Sequence, residues 1–133
     1  MLKMFQQTLK DTVSFEGKGL HSGKIAKVKI LPAKSDQGII FKRVDLKKDN
    51  IIYSNYNNVT SAKLCTTLEN KNGVQVSTVE HLLAAFYVAE IDNAIVEINN
   101  AEVPIMDGSA KNFLHLLKKA GLMELEKKRK YLK

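Results

Sequence analysis

An acid and a histidine stand side by side in the segment Ser77-Thr78-Val79-Glu80-His81-Leu82-Leu83-Ala84-Ala85. A carboxylate next to a metal can act as general base on an attacking water, and an imidazole is a common zinc ligand. The start of a helix suits such an acid, because it carries roughly half a positive charge. The same spacing has a structural reading. Ser77 as N-cap with Glu80 three residues on is a capping box, and His81 is then a structural histidine. Spacing alone leaves both open.

The element that must position the pair is a helix starting at Ser77. At ~100° per residue, Val79, Leu82, Leu83, Phe86 and Ala89 share one stripe, and Glu80 and His81 point off it. The far side carries Ala84, Ala85 and Val88, which predicts a cleft or interface around the pair rather than open solvent. Upstream the chain reads as strands. Val13 and Phe15, then Ala26, Val28 and Ile30, alternate with polar residues until Pro32. Gly38 opens a strand at Ile39–Val44, residues 46–58 read as a polar loop, and Lys63–Leu68 reads as a further strand. Ala94–Asn99 forms a last strand before a second helix, capped by Asp107 and stopped by Gly121, with Phe113, Leu114, Leu116, Leu117 and Ala120 on its apolar face. His115 on that helix reads as structural. Strands followed by amphipathic helices predict an α+β two-layer sandwich, a largely antiparallel sheet with two helices packed on one face.

The length of 133 residues fits one domain with a modest core, and 44% hydrophobic against 26% charged residues excludes a disordered chain. A lone cysteine, Cys65, excludes an internal disulfide and fits a reducing cytoplasm. The first residues are too polar for a signal peptide, and no apolar run is long enough to span a membrane, so a cytoplasmic location is expected. The net charge of +7 is concentrated at Lys127-Lys128-Arg129-Lys130 and Lys133, which fits a solvated tail; no aromatic-rich basic motif accompanies it, and no nucleic-acid partner is expected.

Four segments together resemble the UDP-3-O-acyl-N-acetylglucosamine deacetylase family, the zinc amidases of lipid A biosynthesis in Gram-negative bacteria. They are Gly19-Leu20-His21-Ser22-Gly23, Leu64-Cys65-Thr66-Thr67, Thr78 through Ala85, and Val103-Pro104-Ile105-Met106-Asp107-Gly108-Ser109-Ala110. The resemblance covers essentially the whole chain and places it in the N-terminal half of that family's fold, two similar α+β halves facing each other across the active site. It implies a hydrolase that removes the N-acetyl group from a UDP-linked acylated amino sugar. It makes Glu80 the catalytic base and His81 a ligand of Zn2+, and it puts Leu20, His21, Leu64 and Cys65 at the border of the substrate-binding region. Asp107 matches a motif aspartate for which helix capping is sufficient.

The family's remaining ligands are a His and an Asp four residues later. The residues four after His21, His81 and His115 are Ile25, Ala85 and Lys119, so that pair is expected from a second half or a partner chain. On this reading residues 1–122 form the N-terminal α+β domain. Residues 123–133 form a basic linker and the opening of a second domain, and the 133 residues alone are inactive or very weak. Two other classes stay open: a non-catalytic module that homodimerises through the Glu80–His81 face, and a basic nucleic-acid-binding α+β module.

Overall fold

The computed structural model describes residues 4–60 and 65–130. Its central layer is a five-stranded sheet built from β2 (Val13–Lys18), β3 (Ile25–Pro32), β4 (Ile39–Arg43), β5 (Ile51–Tyr53) and β9 (Ala94–Ile98). The strand order is β2-β3-β9-β4-β5, antiparallel except for the β4–β9 pair. The two-residue period of β3 is realised directly: Ala26, Val28 and Ile30 are buried, and Ile25, Lys27 and Lys29 are exposed. The register sets Val28 opposite Ile98 and Ile30 opposite Val96, so both strands present apolar residues to the same side. A one-residue slip would turn that row into solvent, which is why such a register is strongly specified.

Helices α1 (Glu80–Val88) and α2 (Lys111–Ala120) pack against each other and bury their stripes in the core of this sheet. Leu82, Ala85 and Phe86 come from the first helix and Phe113, Leu117 and Ala120 from the second. Phe113 meets Phe15 of β2 with ring centroids 5.4 Å apart at 57°, a tilted contact of the kind aromatic pairs favour. The architecture is α+β with mostly antiparallel sheets.

Two smaller sheets complete the fold. One is the antiparallel ribbon of β1 (Phe5–Leu9) with β10 (Leu122–Lys128). The other joins β6 (Val59–Thr60), β7 (Thr67–Glu69) and β8 (Gln75–Ser77) in that order. Residues 123–128, expected as linker, lie in strand β10, whose first residue, Leu122, pairs with Leu9. The loop expected over 46–58 contains β5 and a 3-10 turn at Tyr56–Asn58. Ile52 is what recruits β5: it is fully buried opposite Phe41. The strand expected over Lys63–Leu68 begins at Thr67, and Ser61–Leu64 lie outside the described residues.

Both expected helix caps are replaced. Ser77 does not cap α1, because it ends β8: its amide and hydroxyl both donate to Ala101 O, at 2.8 and 3.2 Å. The helix starts three residues later with Val79 at the N-cap and no side-chain cap, so Glu80 is its first residue rather than its third. Asp107 instead closes the preceding turn, accepting from the Ser109 amide at 3.0 Å and the Ser109 hydroxyl at 2.8 Å. Those bonds hold its carboxyl below the usual aspartate range, the Ser109 hydroxyl first. Ala110 then occupies the N-cap of α2. Gly121 stops that helix as expected, at φ 81°.

Candidate active site

Thr78 bends the chain from β8 into α1. Its φ of 60° is uncommon for a β-branched residue and strained. It persists because the bend is fastened on both sides. Thr66 O accepts the Thr78 amide at 2.9 Å and the Val79 amide at 3.4 Å. In return the Thr66 amide donates to Glu80 Oε2 at 2.9 Å. The segment of Cys65 and Thr66 is thus stitched to the first turn of α1, and two of the motifs singled out in the sequence meet at Glu80.

The two carboxylate oxygens of Glu80 differ. Oε2 is fixed by Thr66, whereas Oε1 is buried and has no hydrogen-bond partner among the described residues. Leaving a buried acceptor without a donor costs about 1–3 kcal/mol, so such an atom is more often found where a ligand or water completes it. Glu80 and His81 are both half-buried, which agrees with a pair set off the core stripe yet sheltered. Val79, Leu82 and Phe86 of that stripe are buried and Leu83 and Ala89 are partly so. Ala85, expected on the far side, is buried with Leu82 and Phe86 instead, while Ala84, Tyr87 and Val88 are exposed.

Leu20 and His21 sit on the exposed loop between β2 and β3. The loop closes on itself through Gly19 N to Lys24 O at 2.9 Å and Gly23 N to Gly19 O at 3.0 Å. It is joined to the start of α1 by Glu102, which the sequence reading passed over. Glu102 Oε2 accepts the Thr78 hydroxyl at 2.6 Å, and Oε1 accepts the Ser22 amide at 2.8 Å. The His21 amide lies 3.2 and 3.1 Å from the two oxygens. Burial of Glu102 favours its neutral form, but the Thr78 hydroxyl and the Ser22 and His21 amides outweigh this, and the carboxyl titrates below its ordinary 4.5. The available signal was an acid between Ala101 and Val103, with only apolar neighbours to either side. Cys65 is half-buried with its Sγ 3.8 Å from Thr67 Oγ1. Leu64 lies outside the described residues.

Among the described residues no group of three or more His, Cys, Asp or Glu side chains is placed to hold a metal ion. His81 and the orphaned Glu80 oxygen fit one ligand and one base of a metal centre, and not a complete ligand set.

The family model described as LpxC, UDP-3-O-acyl N-acetylglycosamine deacetylase, matches residues 6–133. The chain belongs to this family. A UDP-3-O-acyl-N-acetylglucosamine deacetylase of Geotalea uraniireducens is 51% identical over 128 residues, covering 96% of this chain and 41% of the relative. Proteins of the same name from Wigglesworthia glossinidia brevipalpis and Chromobacterium violaceum are 45% and 44% identical, covering 96% and 98% of this chain. The chain spans 41–43% of the length of these relatives. Among the described residues no helix is long and apolar enough to cross a membrane.

Proposed function

We propose that this chain forms the N-terminal part of a zinc-dependent deacetylase acting on UDP-3-O-acyl-N-acetylglucosamine in the cytoplasm, in the lipid A pathway of Gram-negative bacteria. The observation that carries the reading is the orphaned, buried Glu80 Oε1 beside His81, in a chain of this family. Oε1 takes a proton from the water that attacks the acetamide carbonyl. As the carbon–nitrogen bond breaks, an acid from the second half or partner chain gives its proton to the leaving nitrogen, the proton on Oε1 returns to solvent, and acetate and the free 2-amino sugar are released. The Thr66 amide holds the other oxygen, so the base is oriented before substrate arrives. A zinc ion held through His81, with further ligands from a second half or partner chain, would polarise the carbonyl. Leu20, His21, Leu64 and Cys65 border the bound substrate.

The test is acetate release from that substrate by the chain alone and by the chain fused to the remaining part of the Geotalea relative. Activity is expected in the fusion and little or none in the chain alone. Replacing Glu80 by Ala in the fusion should lower kcat by about 10²–10⁴-fold, the usual worth of a positioned general base. An undiminished rate would remove the base role from Glu80.

A further inference from the structure

We infer that Glu102 is a positioning residue that holds the Leu20–His21 loop against the start of the Glu80–His81 helix. Its backbone is pinned first. The 101–103 segment runs beside Ser77 as a parallel bridge, with the Ser77 amide on Ala101 O at 2.8 Å and the Val103 amide on Ser77 O at 3.0 Å. Glu102 therefore lies next to the last residue before the Thr78 bend. From there its nearly fully buried side chain reaches in two directions, to the Thr78 hydroxyl on one side and to the amides of His21 and Ser22 on the other.

Among the described residues, every hydrogen bond tying His21 and Ser22 to a distant part of the chain ends on this carboxylate. The loop is shaped to admit it. A Cβ on Gly19 would stand 2.3 Å from Glu102 Oε1, so the missing side chain is what lets the carboxylate in. A charged acceptor buried among amide and hydroxyl donors makes stronger bonds than a neutral one, which suits a loop with little packing of its own. The helix start has a second fastening that the loop lacks, since Thr66 O holds the amides of Thr78 and Val79 without Glu102. Loss of Glu102 thus frees the loop more than the helix.

The substrate in this assignment is that of the deacetylase reading above, on which it rests; the backbone readout needs no substrate. Amide hydrogen exchange is measured on the chain and on Glu102→Gln, which preserves size and one acceptor oxygen but loses the charge. The His21 and Ser22 amides should exchange about tenfold faster in the variant, with those of Leu82–Phe86 unchanged. In the fusion described above, KM should rise about tenfold with kcat nearly unchanged, since a loop that binds substrate is loosened while the base stays in place. Glu102→Ala should exaggerate both effects, and if it fails to fold the Gln variant decides alone. Equal exchange at His21 and Ser22, or faster exchange with an unchanged KM, would overturn the assignment. A fusion that never turns over counts against the deacetylase reading instead, and exchange then decides whether Glu102 holds the loop.

Discussion

Two carboxylates at the start of α1, a buried Glu102 and a half-buried Glu80, are treated in opposite ways. Glu102 has donors on both oxygens, from Thr78, His21 and Ser22. Glu80 has a donor on Oε2 and, among the described residues, none on Oε1. The first arrangement is that of a structural tie; the second leaves one oxygen open to water or a ligand, as the proposed base role requires. The difference has a pH signature. The folded-state carboxyl of Glu102 titrates below its ordinary 4.5, so the unfolded chain takes up the proton first as acid is added. Its contribution to stability is complete above 4.5 and is lost as pH falls through the lower, folded value. Thermal unfolding followed from neutral pH downward should therefore show a Tm difference between the parent and Glu102→Gln that shrinks below 4.5. A difference that stays constant across that range would mean the charge contributes nothing.

At the scale of elements, α1 is a short helix that starts on a strained Thr78 and has no side-chain cap. Short helices are marginal in water on propensity alone, so packing must hold this one in place. Leu82, Ala85 and Phe86 supply that packing on the shared face with α2 and the sheet. Phe86→Ala should cost about 3–5 kcal/mol in denaturant unfolding, since it removes a buried aromatic side chain from the core. Tyr87 and Val88, at 86% and 61% exposure, lie on the opposite side and give a control: charging Val88 should change stability by less than about 0.5 kcal/mol. Similar losses at Phe86 and Val88 would mean that the buried stripe does not hold the helix.

Over the whole molecule, the chain is drawn together near its ends. β1 pairs with β10, and just beyond it Arg129 is buried, with Nε donating to Asp92 Oδ2 at 3.0 Å and Nη2 to Glu90 O at 3.1 Å. Arg129→Ala should lower stability by about 2–3 kcal/mol, less than a fully buried pair because Asp92 is 30% exposed. A neutral substitution would show that β10 is held by strand pairing alone. This arginine looked like part of a basic tail, because its charge is local in sequence while its acidic partners lie 37 and 39 residues away. Glu102 escaped notice for the same reason: its donors sit 80–81 and 24 residues distant. By contrast, the α+β class, the alternation of Ala26, Val28 and Ile30, the helix stop at Gly121 and the Glu80–His81 pair with its family motifs were all legible, since each is written in residue type and short-range period. The helix start could not be read so: Ser77 and Glu80 have capping-box spacing, but the pairing of Ser77 with the 101–103 segment keeps it extended. Sequence by itself determined which residues could do chemistry and which faces are apolar. Tertiary structure alone decided what each carboxylate is bonded to, because a carboxylate takes its donors from whatever chain the fold brings beside it, however distant in sequence.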